Sequence, residues 1–287
     1  MTEAFAPARV ALAGNPSDGY GGAVLALTVD GLRARAWIAP DPQECVAPEL
    51  VAATVARFAR LHAPGAAGTA VGCATAIPRS VGLGGSSAIV IAVLRALCVQ
   101  NNVTLEPLEL AELALAVEVE DLGIAAGPQD RIAQAFGGLT FMDFARSQYE
   151  SLDPEHLPPL LIAWRASTSA PSGPVHDDLR ARYDAGDPAV RRAITALTDA
   201  AHEARAAVVA RDHQSLARAA DASFDARASM MRLDPRHVEL IELARDAGAA
   251  ANYAGSGGAI VCVCANDDVR ADARRALELA GCDSLPA

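Results

Sequence analysis

The chain has 287 residues, 52% of them apolar, and a formal net charge of −11, which suits one large domain or two with well-filled cores. The acidic balance argues against nucleic acid as a partner, since that binding depends on dense Lys and Arg; no long uncharged apolar run and no basic-then-apolar leader is seen, so a cytoplasmic protein without a membrane segment is expected. The six cysteines, at 45, 73, 98, 262, 264 and 282, form no Cys-x-x-Cys pair and lie mostly in apolar runs, the pattern of buried free thiols rather than disulfides or zinc ligands.

Arg9–Leu12 and Ala23–Val29 read as strands around the polar turn Gly14-Asn-Pro-Ser-Asp-Gly-Tyr-Gly-Gly22, and residues 32–38 read as another. Val51–Leu61 has helical periodicity, Thr69–Ile77 is extended, and Ser86–Gln100 is helical up to Asn101-Asn102. A helix is expected over Glu106–Leu122 and a short one over Ile132–Phe136. Ser147–Pro159, where prolines and polar residues replace periodicity, is the expected linker between an N-terminal domain over 1–150 and a C-terminal domain over 160–287. Beyond it come a strand at Leu160–Trp164, Ala/Arg-rich helices around 188–210, 214–231 and 235–247, a strand at Ala259–Cys264 and a last helix over 267–280.

Residues 78 to 88 read Pro-Arg-Ser-Val-Gly-Leu-Gly-Gly-Ser-Ser-Ala, followed directly by the apolar run Ile89–Leu94. A glycine turn entering a helix brings backbone N–H groups and the helix's positive end together on an anion. Gly82, Gly84 and Gly85 allow positive φ and close approach, while Ser86 and Ser87 can cap the helix or offer an oxygen to Mg²⁺. The same pattern also describes a plain capped helix after a flexible turn, and it lacks the Gly-Lys-Ser/Thr of a P-loop.

Glu118 lies on the apolar stripe of Leu108, Ala111, Leu115 and Leu122. A buried carboxylate there needs a partner, such as a magnesium ion, unless the stripe reaches solvent at that point. Asp130, in Gly127-Pro-Gln-Asp-Arg131, is either an N-cap of the next helix or a functional acid. Gly255-Ser-Gly-Gly258, read as following a helix and preceding an apolar strand, allows backbone to approach a ligand or simply makes a tight connection.

Three segments stand in order: Arg9-Val-Ala-Leu-Ala-Gly-Asn-Pro-Ser-Asp18, Pro-x-x-x-Gly-Leu-Gly-x-Ser-Ser-Ala at 78–88, and Gly-Ser-Gly-Gly at 255–258. Together they resemble the GHMP kinase superfamily over nearly the whole chain. The extra loop residue, Gly-Leu-Gly-Gly-Ser-Ser-Ala, resembles the branch of fucokinase, heptose kinases and glucuronokinase. Within it, Gly14-Asn-Pro-Ser-Asp18, Gly85-Ser-Ser-Ala-Ile89, Gln129-Asp-Arg131 and Met142-Asp-Phe144 are similar to glucuronokinases, which act on the anomeric oxygen of D-glucuronate.

The resemblance implies a two-domain α+β fold, the GHMP kinase fold, with the active site in the interdomain cleft, and ATP and Mg²⁺ as co-reactants. It implies that Pro78, Gly82, Leu83, Gly84, Gly85, Ser86, Ser87 and Ala88 surround the ATP phosphates and that Ser87 and Glu118 hold magnesium. Asp130 matches the catalytic aspartate and Arg9 the basic residue beside it. The substrate set is Asn15, Asp18, Tyr20, Asp130, Arg131, Gly255, Ser256 and Gly257, with Asp18 accepting from a sugar hydroxyl. Such residue types supply in-line positioning, charge neutralisation and a hydroxyl-proton acceptor. Asn15 stands where galactokinases carry an acid; an amide there is compatible with an anionic sugar, and Asn-Pro is equally a turn starter. Arg131 and Arg79 are the cations nearest in sequence for a substrate carboxylate. The expected activity is sugar 1-phosphate formation from glucuronate or a related sugar, by a monomer or homodimer. The alternatives are a kinase for galactose, fucose, a heptose or a mevalonate-like alcohol, and a sugar- and ATP-binding sensor without catalysis.

Overall fold

The computed structural model describes residues 2–165 and 173–287. The chain forms two compact units that interleave along the sequence. The first is built from the residues up to Arg9, Thr28–Pro78 and Gly84–Gly137; the second from Val10–Leu27, Arg79–Leu83 and Gly138 onwards. The expected contiguous division, 1–150 and 160–287, differs from this because strands β1 (Thr2–Ala13) and β2 (Ala23–Ile38), 12 and 16 residues long, each contribute to both units. The two strands expected at 23–29 and 32–38 are thus one. Asp30-Gly31 does not break it, because different partners hold its halves: Ala23–Leu27 pair with β4 (Leu139–Asp143), and Ala34–Ile38 with β3 (Val71–Thr75), both antiparallel.

The first unit packs helices α1 (Pro48–Leu61), α2 (Gly85–Asn101), α3 (Pro107–Ala116) and α4 (Gln129–Phe136). Ala88–Leu94 of α2 are all buried, as a helix that is apolar all round must be, and Asn102 ends it in the left-handed region at φ +51°. A reciprocal capping box between Glu106 and Glu109 opens α3. The helix expected to run unbroken to Leu122 instead passes into a π-helical turn at Val117–Asp121, an insertion that re-aims side chains and occurs often at functional sites. Arg57 of α1, itself buried, grips this turn by donating to Asp121 Oδ2, to Asp121 Oδ1 at 2.9 Å and to Glu120 Oε2 at 2.8 Å.

In the second unit β4 also pairs with β5 (Gln148–Leu152). The expected linker therefore contains a strand, which its half-exposed Gln-Tyr-Glu-Ser-Leu sequence disguises. Next come β6 (Leu160–Trp164), α5 (Gly173–Asp184), α6 (Pro188–Ala210), α7 (His213–Met230), α8 (Pro235–Asp246), β7 (Ala250–Tyr253), β8 (Ala259–Val263), α9 (Asp267–Leu279) and β9 (Asp283–Pro286). The antiparallel sheet β7-β8-β6-β9 buries Leu161 and Ile260 against Leu240 and Ile241 of α8 and Leu277 of α9. Alanines along α6 and α7 let the two helices approach closely, and Asp187 and Asp212 cap their N-termini. All six cysteines are free, four buried and Cys45 and Cys98 half-buried. Among the described residues no helix is long and apolar enough to cross a membrane.

Hydrogen bonds from Arg57 hold the Asp121 carboxyl below the usual carboxylate range. A depressed carboxylate contributes stability above its unfolded pKa, and that contribution is lost as pH falls through the folded value. Arg57→Met is therefore expected to cost about 1 kcal/mol at neutral pH, given partial solvent screening, and to flatten the decline of stability toward acid. Urea unfolding of both proteins near neutrality and in acid measures this; parallel acid slopes would deny the Arg57–Asp121 link that role.

Candidate active site

Gly84 heads α2 in the left-handed region, at φ +71°. Its carbonyl accepts from Ala88 N–H at 3.0 Å, Ser87 Oγ at 3.0 Å and Gln134 Nε2 at 2.8 Å. The same Gln134 nitrogen donates to Pro7 O at 2.9 Å, tying α4 to β1. A Cβ at Gly84 would stand 2.9 Å from Gln134 Nε2 and 3.3 Å from Arg9 Cγ, so only glycine fits there. The expected serine cap is not formed: α2 has no side-chain cap, and the buried Ser87 hydroxyl turns back to Gly84 O. The N–H groups of the first turn have no partner within the helix, and its positive end faces a would-be anion. Ser86 is exposed and Gly85 and Pro78 half-buried, while Leu83 and Ala88 are buried and anchor the turn.

The preceding residues, Arg79–Leu83, belong to the second unit. There a Cβ on Gly82 would lie 2.6 Å from Ser256 N, and one on Gly258 3.0 Å from Val81 Cα. The glycines of 255–258 thus permit approach of this chain's own backbone, in a loop that joins β7 to β8 rather than a helix to a strand. Arg227 of α7, buried over the Tyr253 ring, donates to Gly255 O at 2.6 Å and Ser256 O at 3.3 Å, and Asn15 Nδ2 donates to Gly255 O at 2.9 Å. That bond commits one Asn15 amide hydrogen to the 255–258 loop. Ser17–Tyr20 forms a 3₁₀ turn in which Asp18 is buried and Tyr20 half-buried; burial chiefly pushes the Tyr20 phenol up.

Asp130 sits inside the first turn of α4, whose N-cap is Pro128, so it is not the cap. Its Oδ1 accepts from Arg9 Nε at 2.7 Å and lies 2.6 Å from Arg9 Nη2, while Oδ2 lies 4.0 Å from Arg131 Nη1. Asp130 keeps 18% of its side chain exposed against 5% for Arg9. Glu118, on the π-helical turn, is fully buried, which excludes the solvated helix end. Arg131 supplies its partner: Nε donates to Glu118 Oε2 at 2.7 Å, Nη2 donates to the same oxygen, and Nη1 reaches Gly127 O at 2.7 Å. Arg131 is only 4% exposed, and its guanidinium is committed to Glu118. Arg79 is exposed.

Glu118 Oε1 is buried without a hydrogen-bond partner, and Ser87 Oγ keeps its lone pairs because its hydrogen points to Gly84 O. Those are two oxygens that suit a hard divalent cation, although among the described residues no group of three or more His, Cys, Asp or Glu side chains is placed to hold a metal ion. Mg²⁺ commonly takes one or two protein oxygens and completes its shell with phosphates and water, so this sparse set fits. Sequence reasoning passed over Gln134, four residues after Asp130 on one helix, and Arg227, which continues the buried stripe Leu216, Ala220, Ser223.

The fold is shared with known small-molecule kinases: a galactokinase from Lactococcus lactis, solved with galactose, superposes with a TM-score of 0.83 at 19% identity, covering 100% of this chain and 92% of that one. Residues 49–138 match the GHMP kinases N terminal domain and residues 204–281 the GHMP kinases C terminal domain. The chain belongs to the GHMP kinase family. Glucuronokinase 1 of Arabidopsis thaliana is 38% identical over 203 residues, 66% of this chain, and the match spans 56% of the plant protein's length. A D-glycero-alpha-D-manno-heptose 7-phosphate kinase of Campylobacter jejuni is 42% identical over 78 residues, 27% of this chain and 23% of its own length.

Removing one partner of a buried ion pair leaves the other charge uncompensated. Arg131→Met is expected to cost about 3–5 kcal/mol in urea unfolding, and adding Glu118→Gln to recover much of that. A double variant no more stable than the single one would contradict the pairing.

Proposed function

We propose that the protein is an ATP-dependent sugar kinase that phosphorylates the anomeric hydroxyl of D-glucuronate or a related sugar to give the sugar 1-phosphate. The observation that carries the reading is the adjacency, within one unit, of an arginine-held acid and a glycine turn: Arg9, which fixes Asp130 Oδ1 at 2.7 Å, also brings its Cγ to 3.3 Å from where a Gly84 Cβ would stand. An acceptor for a hydroxyl proton beside a phosphate-binding helix terminus is what phosphoryl transfer to an alcohol requires. The similarity to plant glucuronokinases favours the uronate.

On this reading residues 82–87 receive the ATP phosphates through backbone N–H groups and the α2 terminus. Ser87 Oγ and Glu118 Oε1 would hold Mg²⁺, which when bound offsets charge on the phosphate oxygens. Asp130 orients the anomeric hydroxyl and accepts its proton, while Arg9 fixes the carboxylate's direction. Arg131 positions Glu118 rather than touching the sugar. Within the second unit, Asp18 offers a carboxylate to a sugar hydroxyl, Asn15 holds the 255–257 loop and Tyr20 presents an aromatic ring.

A coupled ADP-release screen across uronic acids, hexoses, fucose, heptoses, mevalonate and homoserine tests the class, with glucuronate expected as the preferred acceptor. Asp130→Asn is expected to keep nucleotide binding and lose at least about 10²-fold in kcat; near-normal turnover would remove Asp130 from the chemistry. Ser87→Ala, which deletes one hydroxyl and leaves the helix intact, is expected to raise the Mg²⁺ needed for half-maximal rate about tenfold. An unchanged magnesium titration would leave Ser87 a purely local role on Gly84.

A further inference from the structure

We infer that Arg180 is the specificity residue that reads an anionic group on the sugar, an inference that rests on the sugar-kinase reading above. In the second unit, α5 lies on the Ser17–Tyr20 turn. Tyr183 packs on Tyr20 with ring centres 4.6 Å apart, and the Arg180 guanidinium lies over the Tyr20 ring at 4.3 Å. Arg180 Nη2 donates to Gly19 O. Charges on both Arg180 and Asp18 act on the Tyr20 phenol, in opposite senses, so a cation over the ring has an acid in its neighbourhood.

Among the described side chains, Arg180 is held by an aromatic face and a neutral carbonyl, and neither cancels its charge. Asp184, a carboxylate neighbour, stands 3.8 Å away and is 61% exposed, while Arg180 itself is 49% exposed. A pair at that distance in water is weak. The guanidinium is therefore fixed in place, accessible, and able to take an anion in its planar fork. Arg131, the sequence's alternative, is buried on Glu118. An acid that accepts hydroxyls and a cation that takes an anion, both beside one tyrosine, match a sugar carrying both groups. A carboxylate and a phosphate share that chemistry.

The test measures kcat/KM of the wild-type protein, Arg180→Met, Arg180→Lys and Arg79→Met on glucuronate, glucose and glucose 6-phosphate, with melting temperature and nucleotide affinity as checks on folding. Arg180→Met is expected to lower kcat/KM for glucuronate about tenfold or more through KM, to leave glucose within about twofold, and to abolish the erosion of the wild-type preference by added salt. Arg180→Lys should retain an intermediate preference. The same pattern on glucose 6-phosphate instead of glucuronate keeps the inference with a phosphate as the anion. Equal losses on charged and neutral sugars, an unchanged ratio, or a ratio that moves only in Arg79→Met overturns it. Calorimetric binding of glucuronate and glucose beside a non-hydrolysable ATP analogue separates the two claims. Arg180-dependent binding without turnover sustains the inference and removes the kinase reading, whereas wild-type turnover indifferent to charge removes the inference and leaves the kinase.

Discussion

The first unit is organised by the burial of Glu118. A carboxylate with no exposed surface must be paired, because desolvating a lone charge costs more than packing returns. Arg131 meets that need, and it is the neighbour of Asp130 on α4. Successive helical residues point about 100° apart, so one turn of α4 sends an arginine inward to Glu118 and an acid toward Arg9 of β1. Gln134, one turn on, reaches back to Pro7 O and Gly84 O. The short helix thereby fixes the glycine turn, the strand and the π-helical turn together. Arg57 holds that π-helical turn from its other side.

Glycine does a different job at each end of the 82–84 segment. At Gly84 the missing Cβ makes room for Gln134 and Arg9, side chains that define the candidate site. At Gly82 it makes room for the backbone of Ser256. Arg227 and Asn15 share the Gly255 carbonyl, and so shape the same loop from two directions. The polar groups committed this way bind the protein to itself.

Much of this was legible in the sequence, for identifiable reasons. The α2 core helix, the β6 and β8 runs and the capped helices α6 to α9 follow from uniform apolarity or from Asp and Asn caps that act locally. The motif residues were found because glycine and paired hydroxyls are locally diagnostic. Three things depended on distant partners and were hidden. Strand β5 is a half-polar edge whose pairing with β4 no periodicity reveals. The π-helical turn shifts register by one residue inside a helix-like pattern. Arg131 looked available because its partner Glu118 stands 13 positions away, across a glycine-rich turn.

The chain carries −11 overall, and Arg9 and Arg131 each face a carboxylate within 3 Å, so neither is a spare cation for triphosphate. If ATP binds at the Gly84 turn, its charge must be met by the helix terminus and a divalent cation, whose field is short-ranged and local. A second anion, on the sugar, would need its own counter-charge, since the protein's overall field repels it. An arginine anchored by an aromatic ring and a neutral carbonyl, and paired among the described side chains only with an exposed acid 3.8 Å away, supplies such a charge. That contrast between Arg131, buried on Glu118, and Arg180, fixed yet half exposed, is the physical basis for expecting the protein to tell an acidic sugar from a neutral one.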